Sequence, residues 1–245
     1  MTQPSDAAAN LLDKAAIRQR MSDLLVEYRE AVRDIAPEAG YGGVWESEML
    51  LFYAAVKPFA PRQILESGRG RGKSTTILAR CFPDAEIISV ELNPEAENAA
   101  AARKKLERYS NVTLISGDSA QVLPGRLQKG DAVLIDGPKD FNAISLALQI
   151  LRTGKPCAVF MHDFPENGVP RQFLSRHWPT AFFSDDPLFA SFRSLDDERD
   201  PLLEKRVRRY GTFACLPSEL PEASLRLRLE LMVARVASHL RTSRS

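Results

Sequence analysis

With 245 residues, 44% hydrophobic and 27% charged, the chain is long enough for one large domain with a sizeable core and a soluble exterior. The 33 Lys and Arg residues offset 32 Asp and Glu, a balance that gives no argument for nucleic acid or an anionic membrane as partner. No apolar run approaches the roughly 20 residues that span a bilayer. Met1 to Asp6 lacks a basic start followed by an apolar stretch, so no secretory signal is expected and the cytoplasm is the expected compartment.

From Leu11 to Ile35, apolar residues including Ile17, Met21, Leu24, Tyr28 and Val32 recur at helical spacing and predict a long amphipathic helix. Gly40 to Gly43 breaks it. Glu46 to Val56 reads as a second helix, ended by Pro58 and Pro61. The rhythm then changes to short apolar strands alternating with helices. Strands are predicted at 63–66, 86–91, 112–116, 132–136 and 157–162, and helices at 73–81, 94–109 and 143–151. Such alternation implies a doubly wound α/β fold, a parallel sheet with helices on both faces, and the run Ala132 to Ile135 suits a strand buried on both sides. Ala181 to Phe183 and Gly211 to Cys215 read as two further strands, joined by a charged connection, 185–209, that could form a lid. Ser224 to Leu240 reads as an amphipathic helix with Leu225, Leu229, Met232, Val236 and Leu240 on one stripe. The expected division is a helical segment 1–59, an α/β domain 60–216 and a C-terminal helix 217–245. The terminal helices are candidates for homo-oligomer contacts. Cys81, Cys157 and Cys215 are isolated and each lies in or beside an apolar segment, which predicts buried free thiols and no metal cluster.

The chemistry concentrates in Glu66-Ser67-Gly68-Arg69-Gly70-Arg71-Gly72, between the first strand and its helix. A glycine-rich turn lets the backbone approach a ligand and points amides into the cleft at the carboxyl edge of the sheet. A phosphate-binding loop needs glycine five positions before Gly72, where Ser67 stands. A nicotinamide fingerprint starting at Gly68 needs its third glycine at Lys73. What remains, acid-x-Gly-x-Gly-x-Gly at Glu66, Gly68, Gly70 and Gly72, resembles the first motif of class I S-adenosylmethionine-dependent methyltransferases. Three further strand ends continue the resemblance: Glu91, Ser116-Gly117-Asp118-Ser119 and Asp136-Gly137.

The resemblance covers roughly Ile64 to Phe164 and implies a Rossmann-like, mostly parallel seven-stranded sheet with a C-terminal antiparallel strand. It implies S-adenosylmethionine as cofactor, held by Glu66, Ser67, Gly68, Gly70, Gly72, Ser74, Glu91, Leu92, Asp118, Ser119 and Asp136. Within that class, Asp136 to Phe141 and Met161-His162-Asp163-Phe164 look most like small-molecule and sugar O-methyltransferases. For the catalytic group Asp136, His162 and Asp163, three readings stay open. Asp136 and Asp163 could hold a magnesium ion, His162 could act as a metal-free base, or the cluster could be structural. The side chains of Arg69, Arg71 and Lys73 either leave the turn toward solvent or recognise an anionic group. A nicotinamide-dependent oxidoreductase and a non-catalytic Rossmann-fold binding protein are the rival functions. No nucleic acid or membrane partner is expected, and a small-molecule acceptor is.

Overall fold

A computed structural model describes residues 11–35, 43–197, 212–218, 227 and 229–234. Helix α1, Lys14–Val32, starts where Asp13 accepts a hydrogen bond from the Ala16 amide, and it buries Ile17, Met21, Tyr28 and Val32 along one stripe. Helix α2, Glu46–Val56, has the bounds its sequence predicts, and Met49 to Val56 are all buried. It lies between α1 and the sheet, with the Phe52 ring 4.7 Å from Phe160 and edge-on to Phe82 at 6.2 Å.

The α/β unit then runs β1 Gln63–Ser67, α3 Lys73–Cys81, β2 Glu86–Glu91, α4 Glu97–Leu106, β3 Val112–Ser116, α5 Ser119–Arg126, β4 Ala132–Ile135, α6 Asp140–Leu151, β5 Ala158–Met161, α7 Val169–His177, β6 Phe182–Phe183 and β7 Ala214–Pro217. The sheet order is β3-β2-β1-β4-β5-β7-β6. The five central strands are parallel, and β7 runs antiparallel to both β5 and β6. This is the expected seven-stranded, Rossmann-like, mostly parallel sheet.

The sheet separates two apolar layers. Alternate residues Ile64, Ile87, Leu134, Phe160 and Phe213 join α1, α2 and α3 on one face. Leu65, Val133, Ile135, Val159 and Met161 join α6, α7 and the helical residues Leu227 and Leu231 on the other. Because the chain winds outward from β1 through β3 and then returns to β4 on the opposite side, the carboxyl ends of β1 and β4 flank a crevice at the switch in winding direction.

Three elements depart from the expected pattern. Helix α5 carries Pro124 and Gly125 within eight residues, which hide its period, yet Asp118 caps it. Helix α7 carries no apolar period that a sequence would show, since its nine residues bury only Phe173 and Leu174. The expected open connection from 185 is structured at its start: 187–192 forms a 3-10 helix and Ser194–Asp197 a short helix, α8, with Phe189, Phe192 and Leu195 buried. Residues 198–211, with Gly211 of the expected last strand, lie outside the described residues, as do Gly40, Leu225, Val236 and Leu240. All three cysteines are free and buried, as predicted.

The fully buried Tyr28 hydroxyl locks α1 onto α2 by donating to the Glu46 carboxylate at 2.9 Å, with the Glu46 carbonyl 3.0 Å away. Replacing Tyr28→Phe removes a donor from a buried carboxylate without changing volume. It should cost about 1–3 kcal/mol in urea unfolding with the far-UV spectrum retained.

Candidate active site

The crevice between β1 and β4 is narrow because backbone meets backbone there. The Ser67 carbonyl accepts from the amides of Asp136 at 2.8 Å and Gly137 at 2.9 Å. A Cβ on Gly68, at φ +85°, would meet the Gly137 nitrogen at 2.5 Å, so only glycine closes this approach. Gly72, at φ +80°, lets α3 start against Ala102 and Leu106 of α4. Between them the Gly70 amide donates to Glu91 at 3.2 Å, and the other Glu91 oxygen accepts from the Asn93 amide at 3.3 Å. Glu91 thus stands at the rim of the turn, half-buried, beside Leu92, whose side chain is 71% exposed.

Not every acid of the motif faces this cleft. Glu66 is fully buried beneath the turn and accepts from the hydroxyls of Ser74, Thr75 (2.5 Å) and Ser89 (2.6 Å). Burial pushes its pKa up against the lowering effect of those hydroxyls. Its carboxylate and the Ser74 hydroxyl therefore brace the turn from within, and direct cofactor contact from either is not what this geometry offers. The Asp118 carboxylate caps α5 through the Ala120 amide at 2.9 Å. Ser119 and Ser67 are joined hydroxyl to hydroxyl at 2.7 Å, and Ser67 also donates to the Gly137 carbonyl.

The basic residues of the turn do not share one fate. Arg71 does turn outward, to the side-chain oxygen of Asn98 at 2.8 Å. Arg69 instead folds inward, is 3% exposed and donates to the Ser89 carbonyl at 2.8 Å. Lys73 runs back to the Val44 carbonyl at 3.2 Å and lies 3.5 Å from the Glu46 carboxylate.

At the end of β4 and β5 the structure gathers Asp136, His162 and Asp163, the three residues expected to form the catalytic group. Two neighbours join them. Lys139, at the start of α6, places its ammonium 2.6 Å from Asp136 and 2.5 Å from Asp163. Glu48, from α2, lies 3.3 Å from the His162 Nε2. The His162 Nδ1 lies 2.8 Å from Asp136, so the buried ring is held between two carboxylates and stands edge-on to Phe213.

Burial alone would lower the His162 pKa, but Glu48 and Asp136 outweigh it and push it up to about 10. That shift favours the charged ring, whose Nδ1 is hydrogen-bonded to Asp136 and whose Nε2 faces the Glu48 carboxylate, and it weighs against the reading of His162 as a neutral base. Burial works to raise Asp136, yet His162 and Lys139 together hold it well below the usual carboxylate range. Lys139 is shifted up by its two carboxylates despite burial, so it stays charged.

Asp136, His162 and Asp163 each bring a ligand atom within 4.8 Å of the others, but the magnesium reading meets an occupied position. The point on which Asp136 and Asp163 converge is taken by the Lys139 ammonium, and the nearby His162 Nδ1 is hydrogen-bonded to Asp136. Glu48 was missed by sequence reasoning because its signal sits about 90 residues upstream, in a helix with no motif. Lys139 had a legible signal, three residues after Asp136 on a helix start, but was read only as part of the turn.

Glu48 also lines a cavity of about 1040 Å³ between α2, the segment after β5 and the 181–196 region. Its carboxylates are Glu48, Glu166, Asp185, Asp186 and Asp196. Each of its three basic side chains is already engaged: Lys14 with Asp186 at 2.7 Å, Arg171 with Asp185 at 2.5 Å and over the Phe183 ring, and Arg193 with the Asp185 carbonyl at 2.8 Å.

Residues 65–164 match the family model described as a methyltransferase domain. A curated relative, an uncharacterised RNA methyltransferase of Clostridium acetobutylicum, is 29% identical over 84 residues. That match covers 34% of this chain and only 18% of the relative, so the chain spans under a fifth of that protein. Among solved structures, the O-methyltransferase of Bacillus cereus in complex with S-adenosylhomocysteine is 18% identical, with 81% of this chain and 90% of that one covered and a TM-score of 0.46. The O-methyltransferase of Streptomyces achromogenes involved in tomaymycin synthesis, in complex with S-adenosylmethionine, is also 18% identical, covering 80% and 90% at a TM-score of 0.45.

Asp196 closes the cavity by accepting from the Ser47 amide at 2.9 Å and the Ser47 hydroxyl at 2.5 Å, the start of α2. Burial, with Glu48 and Glu46 nearby, pushes its pKa up to about 6 against the lowering bonds from Ser47. The folded value lies above the unfolded one of about 3.9, so the stability this group contributes is fully present below about pH 4. It is lost as pH rises through 6. Asp196→Asn, a neutral mimic, should therefore gain on the parent by on the order of 2 kcal/mol between pH 4 and pH 8 in urea unfolding. A constant difference across that range would show that the carboxyl is not perturbed.

Proposed function

We infer that this chain is a class I, S-adenosylmethionine-dependent methyltransferase that transfers a methyl group to a hydroxyl oxygen of a small molecule. The observation that carries the reading is the crevice itself: a methyltransferase domain whose glycine turn faces the rim carboxylate of Glu91, one wall away from a polar cavity. Gly68 and Gly72 let the turn pack against Gly137 and α4, while a Cβ on Gly70 would meet nothing within 4 Å, so the turn is open to a ligand there. In this reading Glu91 accepts from the two ribose hydroxyls and Leu92 lies against the adenine. S-adenosylmethionine brings a methyl already activated on its sulfonium, so the chain's own task is to hold and orient an acceptor and exclude water.

The cavity supports a small acceptor over a polyanionic one. Among the described residues its five carboxylates exceed its three basic groups, and those three are paired within the wall, whereas nucleic-acid binding needs free Lys and Arg for phosphates. A cysteine nucleophile of the cytosine-methylating kind does not fit either. Cys157 and Cys215 are buried, and burial pushes the Cys157 thiol up to about 12. The nicotinamide reading loses its footing at Lys73, whose side chain turns away to α2 where that fingerprint calls for glycine. No helix among the described residues is long and apolar enough to cross a membrane, and the cytoplasm remains the proposed compartment.

Calorimetry with S-adenosylhomocysteine and NAD in parallel tests the reading: the first should bind and the second should not. Glu91→Ala should weaken S-adenosylhomocysteine by about ten- to a hundredfold, the loss of a charge-assisted hydrogen bond worth roughly 1.5–3 kcal/mol. Unchanged affinity in a folded Glu91→Ala protein would move the cofactor elsewhere, and tight NAD binding would favour the oxidoreductase.

A further inference from the structure

We propose that the Lys139 ammonium is a built-in cation that takes the place of a divalent metal, holding Asp136 and Asp163 together and presenting its remaining N–H to the acceptor oxygen. The geometry is that of a bridged pair. The ammonium lies 2.6 Å from one carboxylate and 2.5 Å from the other, hydrogen-bond distances to both. Two carboxylates this close repel unless a cation or proton lies between them, and here the cation is covalently part of the chain.

An ammonium has three donors. Two are committed to Asp136 and Asp163, and the Lys139 side chain is still 44% exposed, so the third can meet a ligand entering from the open side.

For the methyl transfer of the proposed function, on which this role of Lys139 rests, the ammonium would hold the acceptor oxygen and make its hydroxyl easier to ionise. The hydroxyl proton leaves to solvent, the oxygen–methyl bond forms, and the sulfur–methyl bond breaks with its electron pair left on sulfur. Lys139 keeps its proton throughout, which makes it an electrostatic holder of the oxygen and not a base.

The bridging itself can be tested without knowing the acceptor. Chelator-treated full-length parent, Lys139→Ala and Lys139→Met are titrated with manganese alone, free ion being followed by electron paramagnetic resonance and folding by circular dichroism. The parent should leave the manganese signal free. Removing the ammonium exposes two convergent carboxylates, so either variant should bind manganese at least tenfold more tightly than the parent. Adding Asp163→Asn to the variant should abolish that gain. Manganese binding by the parent as tight as by the variants would overturn the proposal, since the metal would then displace the lysine. A folded Lys139→Met or Lys139→Ala protein that binds no better than the parent would also overturn it, since the carboxylates would not converge on the ammonium's position. Parallel titration with S-adenosylhomocysteine separates the two ideas: a parent that fails to bind it refutes the methyl-transfer reading whatever manganese does.

Discussion

Asp136 sits where β4 ends against the glycine turn, and the protein has had to supply it with positive partners there. The amides of Asp136 and Gly137 are tied to the Ser67 carbonyl, which fixes the carboxylate at the mouth of the crevice. A carboxylate largely removed from water needs charged hydrogen-bond donors or it takes up a proton. His162 and Lys139 provide them from two different elements, the end of β5 and the start of α6. Behind each partner stands a second carboxylate, Glu48 for the imidazole and Asp163 for the ammonium. The site is therefore a chain of alternating charges, and removing any interior member strands its neighbours.

This chain gives α2 a meaning beyond packing. Buried charge pairs often contribute little net stability, because desolvating two ions offsets much of their attraction. What they do define is geometry. Glu48 reaches the cluster only because α2 is inserted between α1 and the sheet, with Phe52 set on Phe160 and Tyr28 bonded to Glu46, two residues before Glu48. The same Glu48 accepts from its own helix's Trp45 amide at 2.9 Å, so the residue that starts α2 also ends the charge chain. The wall of the cavity and the edge of the crevice are thus one construction.

The alternation of strands and helices was legible because parallel strands buried on both faces leave unbroken apolar runs, and β1, β2 and β3 begin and end within a residue of where those runs do. The crevice was legible for the same reason: glycines at Gly68 and Gly72 answer to a local backbone requirement that a sequence records directly. Helix α5 was not, because Pro124 and Gly125 carry breaker signals that tertiary contacts override. Within the site, Asp136, His162 and Asp163 could be grouped because they follow neighbouring strands at one edge. The chemistry of the group could not be read. Whether His162 is a base depends on Glu48, which arrives from a helix more than a hundred residues away in sequence, and no local pattern encodes that meeting.

Glu66 shows how a motif acid can be read correctly in place and incorrectly in direction. In sequence it heads the glycine turn, but β1 alternates its side chains, and this position faces the layer beneath rather than the cleft above. Three hydroxyls, from Ser74 and Thr75 at the start of α3 and from Ser89 on β2, point at its carboxylate. They tie the helix that follows the turn to the two strands that flank it. Arg69 adds a fourth tie from the turn itself to the Ser89 carbonyl, so its charge is spent close to Glu66 and Glu91 and not directed at the cofactor space. The glycines give the turn its shape, and this buried polar knot keeps that shape rigid. A turn held this way presents the same surface before and after a ligand arrives, and that preorganisation is what a reaction driven by orientation requires.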